Sequence, residues 1–80
     1  MKKLSFDKLD MKTKGNFVLV EEGKFIASRE YYNQRLVLYD MGEFFAEVWY
    51  GPQGNKIHKI ESMSLGDKKV NLYIHSNTVK

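Results

Sequence analysis

The sequence predicts an α+β domain: a five-stranded antiparallel meander with a short C-terminal helix packed on one face. Three observations predict it. Apolar, β-branched and aromatic runs recur at hairpin spacing over residues 16–62. Two junctions between runs place glycine second in a two-residue loop, where a positive φ matches the strand twist. The segment after Ser62 offers a helix start at Ser64, with Asp67 as an acidic form of the capping box.

FVLV-EEGK-FIAS reads as strands 16–21 and 24–32 joined at Glu22-Gly23, which sets Glu21 opposite Lys24. RLVLYD-MG-EFFAEVWY reads as strands 35–40 and 43–50 joined at Met41-Gly42, so Tyr39 opposes Phe44 and Val37 opposes Ala46. Asn33-Gln34 turns between the two pairs, since Asn tolerates the left-handed region. The loop at 51–55 leads into a fifth strand, 56–62. It places Trp49 against Ile57, Glu47 against Lys59 and His58 beside Val48. Aromatic–β-branched and acid–base pairs of this kind contribute about 0.2–1 kcal/mol each.

This register sorts the apolar residues onto two faces. Val37, Tyr39, Phe44, Ala46, Val48 and Ile60 share one; Leu36, Leu38, Phe45, Trp49 and Ile57 share the other. Both faces are apolar and both need cover. Ile57 and Ile60, three residues apart, reach the same face only if a bulge intervenes. As a helix, the tail puts Val70, Tyr73 and Ile74 on one stripe. The alternative is an all-β small barrel or sandwich with residues 68–75 as a strand. The second face is then covered by curling of the sheet, by the leader with Leu4, Phe6, Leu9 and Met11, or by a second copy of the chain.

Eighty residues bound the chain to one domain, divided here into a partly ordered basic leader, 1–14, and a globular unit, 15–80. There is no cysteine, so neither disulfides nor the common zinc-finger ligand sets are open to it. The longest purely apolar run is FVLV, and Asp7 interrupts the N-terminus before an apolar signal run can form. A cytoplasmic protein without a membrane span is expected. The net charge of +3 resides in the leader, where Lys2, Lys3, Lys8, Lys12 and Lys14 face Asp7 and Asp10. The remainder is neutral, which argues against a broad basic face for nucleic acid.

REYYNQRLVLYDMGEFFAEVWY, followed after a turn by NKIHKIES, resembles a group of small bacterial proteins of similar length. Their pattern is a Tyr-rich hairpin, a Phe-Phe-x-Glu-Val strand and an Asn-x-Ile-x-x-Ile strand. The resemblance implies a closing helix bearing Leu72-Tyr73-Ile74. It implies no activity, cofactor or site residue.

No catalytic constellation is legible. His58 and His75 share no metal-ligand spacing, and none of Ser28, Ser62, Ser64 and Ser76 sits in a nucleophile motif. Glu21, Glu22, Glu43 and Glu47 read as solvated hairpin carboxylates. Gly51–Gly54 lacks the Lys-Ser/Thr of a phosphate loop. The expectation is therefore a non-enzymatic interaction module with no catalytic residue, metal, cofactor or small-molecule substrate. Tyr31, Tyr32, Trp49 and Tyr50 are its candidate contact residues, because Tyr and Trp combine apolar area with a polar tip. A homodimer, or a complex with another protein, is the expected assembly. The alternative is a weak nucleic-acid binder that uses Arg29 and Arg35 around the Tyr31-Tyr32 turn together with Lys2, Lys3, Lys12 and Lys14.

Overall fold

The computed structural model describes residues 1–52 and 56–77, with side chains through residue 73. The class is α+β, with an antiparallel sheet of four strands in the order β1-β2-β3-β4: Lys24–Tyr31, Gln34–Asp40, Phe45–Tyr50 and Ile57–Met63. Helix α1 (Lys3–Asp7) and helix α2 (Met11–Asn16) precede the sheet, and helix α3 (Val70–Asn77) follows it. No described helix is long and apolar enough to cross a membrane.

The strand expected at 16–21 is helical. Asp10 caps α2, its carboxylate accepting from the Thr13 N–H at 2.8 Å, and the chain runs on without a break into a π-helical turn, Phe17–Glu21. Glu22 N–H closes that wide turn on the Phe17 carbonyl at 2.8 Å. The Phe-Val-Leu-Val run favours a strand locally, but packing overrides that propensity. Val18 points into the core, while Leu19 and Val20 turn outward. Gly23 ends the turn against the backbone: a Cβ there would lie 2.1 Å from the Val18 carbonyl oxygen. Glu22-Gly23 is thus a helix exit rather than a hairpin loop, and Glu21 has no strand partner in Lys24, which pairs with Asp40.

Within the sheet the hairpins are real but their registers differ from expectation. Between β1 and β2, Tyr31 pairs with Gln34, so the two-residue loop is Tyr32-Asn33 rather than Asn33-Gln34. Between β2 and β3, Asp40 pairs with Phe45 and the loop has four residues, Met41 to Phe44. It is closed by Met41 N–H to the Phe44 carbonyl (2.9 Å) and by Gly42 N–H to Asp40 Oδ1 (2.7 Å), with Gly42 at φ +96°. Met41 and Phe44 fold back into the core from this loop. The pairing therefore shifts by two, to Val37 with Val48 and Tyr39 with Ala46, which preserves the face of every side chain. Between β3 and β4 a bulge falls at Trp49/Tyr50: Trp49 pairs with Lys59, Tyr50 with Ile57, and His58 is the extra residue. Val48 accordingly opposes Ile60, not His58, and Glu47 opposes Glu61, not Lys59. Residues 53–55 of the expected 51–55 loop lie outside the described residues.

Each face has its own core. On the first, Phe6 of α1 and Val18 pack with Met41, Phe44, Ala46, Val48 and Ile60, flanked by Tyr39, Tyr50 and Ile57. The bulge brings Ile57 to the same side as Ile60. Phe6 and Phe44 rings lie 5.1 Å apart, Lys14 rests over Phe6 at 5.5 Å, and Asp7 accepts from the Ser62 hydroxyl. On the second face, Ala27, Leu36, Leu38 and Met63 gather with Tyr73 of α3, and Phe45, Trp49 and Val70 pack around them. Each face thus receives residues from outside the sheet, Phe6 and Val18 on the first and Val70 and Tyr73 on the second.

Candidate interaction surfaces

The second face carries an unexpected polar centre. Its rows follow from the register: Arg29, Leu36, Trp49 and Lys59 lie side by side, and Ala27, Leu38, Glu47 and Glu61 form the next row. Glu47 is therefore held over the apolar core, only 2% exposed, rather than on a solvated hairpin. A buried carboxylate needs partners, and three are present. Tyr73 donates its hydroxyl to Oε2 at 2.5 Å, Trp49 donates Nε1–H to Oε1 at 3.1 Å, and Arg29 Nη2 lies 3.7 Å from Oε2. Burial, followed by the Glu47 carboxylate, holds the Tyr73 hydroxyl protonated well above the usual tyrosine range. Arg29 stacks over the rings of Tyr73 (5.1 Å) and Tyr31 (5.7 Å), while its buried Nε has no hydrogen-bond partner among the described residues.

Tyr31, Tyr32 and Trp49 form a continuous aromatic corner beside this centre. Tyr31 meets Tyr32 edge-on at 4.6 Å and Trp49 edge-on at 6.0 Å, and Lys59 caps the Trp49 ring at 4.2 Å. Tyr32 is 85% exposed and has φ +57°, the left-handed region that a bulky side chain rarely enters. Tyr50 does not join them. The alternation of β3 turns it to the first face, where Arg35 stacks on it at 5.6 Å. The candidate bases are likewise dispersed. Arg29 serves Glu47, Arg35 serves Tyr50 on the opposite face, Lys3 pairs with Asp7 at 3.3 Å, and Lys14 covers Phe6.

A second surface was not anticipated. Along the outside of the α2–π rod, Met11, Lys12, Gly15, Asn16, Leu19 and Val20 form two adjacent ridges at i, i+4, i+8 spacing. With Ile57 they line an open groove of about 530 Å³. Met11, Leu19 and Val20 are exposed, and Gly15 leaves the floor low. The signal for this surface lies in the sequence, in the Asp10-x-x-Thr13 cap followed by apolar residues at helical spacing, but it appears only once 11–21 is read as a helix.

His58 is exposed on the bulge, and no three His, Cys, Asp or Glu side chains converge as a metal site among the described residues. No family model, curated protein or solved structure matches this chain.

Proposed function

We propose that this chain is a small non-enzymatic interaction module that acts through self-association. One observation carries the reading. Met11, Leu19 and Val20 stand exposed together on the outside of the rod, beside a groove whose lining is mainly apolar. Contiguous apolar surface of this sort marks contact sites. It also compensates for the limited core an 80-residue chain can bury. Solution mass measured by light scattering over a concentration series tests the reading: a rise toward twice the chain mass of 9.4 kDa supports it, and a constant monomer mass refutes it.

A second reading, contact with a different protein through the aromatic corner, is favoured by Tyr32. A bulky residue held at positive φ in an exposed turn costs about 1–2 kcal/mol, and nothing in the fold requires a tyrosine there. Tyr31, Tyr32 and Trp49 are its contact residues, with Tyr50 set apart. Nucleic-acid binding is the weaker alternative, because the arginines lie on opposite faces and are engaged with Glu47 and Tyr50.

A further inference from the structure

We infer that two copies associate through the α2–π rods, packed antiparallel about a two-fold axis that passes near Gly15 and Asn16. The inference rests on the self-association just proposed and adds the surface and the orientation. The rod's charge is uneven along its length. Lys12 and Lys14 occupy its first turns, no acidic residue lies in the first turn of α2, and Glu21 and Glu22 close its C-terminal end. Asp10 satisfies the N-terminal end as its cap, but at the C-terminal end Glu21 and Glu22 meet the negative pole of the dipole, which is unfavourable within one chain. An antiparallel second rod reverses it, placing the basic end of each copy beside the acidic end of the other.

The same arrangement matches apolar surface. A two-fold axis at the middle of the groove sets Met11 of one copy over Val20 of the other and Lys12 over Leu19. The Lys12 stem then covers Leu19 while its ammonium reaches toward Glu21. The low floor at Gly15 lets the rods approach closely. Asp10 lies at the same end as Lys12, but its carboxylate is turned back onto the Thr13 N–H. Glu22 is 3.8 Å from the terminal amine, which leaves Glu21 as the acid presented outward, with no ion-pair partner among the described residues.

The test is sedimentation equilibrium on the full chain, wild type beside Leu19→Glu, Lys12→Glu, Glu21→Lys and the double variant Lys12→Glu/Glu21→Lys. Circular dichroism and melting temperature verify the fold of each. The expected result is a wild-type dimer, a folded monomer for Leu19→Glu, dissociation at least tenfold easier for each single charge variant, and dimerisation restored in the double variant. A wild-type monomer overturns self-association itself. A dimer that survives Leu19→Glu leaves self-association standing and overturns the groove as its seat. A double variant no tighter than the single ones overturns the antiparallel orientation.

Discussion

Glu47 and Tyr73 are 26 positions apart in the chain, yet their side chains meet at 2.5 Å over the second face of the sheet. This contact ties the first turn of α3 to β3. Glu47 lies at the middle of β3, and its carboxylate is shared among Tyr73, Trp49 and Arg29.

Replacing Tyr73 by Phe keeps the ring in the core and removes the donor, leaving a buried carboxylate one bond short. The expected loss is about 1–3 kcal/mol in urea unfolding. Glu47→Leu should cost more, about 3–5 kcal/mol, because it leaves the nearly buried Arg29 guanidinium without its carboxylate. Combining Glu47→Leu with Arg29→Met should recover part of that loss, since it removes the stranded charge.

Alkaline titration should report the same contact. The Tyr73 hydroxyl is raised in the folded chain, and Tyr39 is raised as well, by burial and then by Tyr50 beside it. The unfolded chain therefore gives up these protons first. The stability they contribute is intact below pH 10 and lost as pH rises beyond it. Tyrosinate absorbance should show Tyr39 and Tyr73 ionising together with loss of circular dichroism, and Tyr73→Phe should remove part of the alkaline destabilisation.

At the acid end the N-terminal helices are the sensitive part. The Ser62 hydroxyl lowers Asp7, and Thr13 lowers Asp10, each from an ordinary value of 3.8. Their contribution is present above that value and disappears as pH falls through the lower folded values. Asp10→Ala should lower the melting temperature at pH 7 and flatten its decline below pH 4, whereas Asp10→Asn, which can still cap, should keep most of the pH 7 value.

Tyr32→Gly should raise stability by about 1 kcal/mol, because glycine enters the left-handed region freely. If the aromatic corner is a contact surface, the same variant should weaken binding of its protein partner. Gly23→Ala should do the opposite to the fold, costing about 3 kcal/mol or more, since the added carbon meets backbone rather than a yielding side chain.

The sheet's middle was legible in the sequence because alternation there is strong. Leu36 and Leu38 against Val37 and Tyr39, and Phe45 and Trp49 against Ala46 and Val48, sorted correctly by face even with the register off by two. That slip came from treating Met41-Gly42 as the whole loop, when Met41 and Phe44 gain more by folding into the core than by extending the strands. The rod at 11–21 was missed because Phe-Val-Leu-Val carries strong β propensity, while the Asp10 cap that opposes it is a single residue. Of the interaction candidates, Tyr31, Tyr32 and Trp49 come together and Tyr50 does not, a consequence of strand alternation at adjacent positions. Charge alone reads Glu47 onto the surface, whereas the structure buries it. Its place in a row with Leu38, beside Leu36 and Trp49, is the signal that a buried partner was needed.

The tie between Asp7 and Ser62 spans 55 positions, and Phe6 and Val18 share a core with Met41, Phe44, Ala46, Val48 and Ile60. The N-terminal rod is thus synthesised before the sheet that seats it. Until the sheet has emerged, Phe6 and Val18 travel on short segments without most of their core neighbours, too short to hold a helix by themselves. The meander is built from sequence-adjacent strands, whereas the seat of the rod draws on residues 41–62. Slowing translation across β3 and β4 should lengthen the life of those exposed segments, and raise their capture by chaperones, without altering the finished fold.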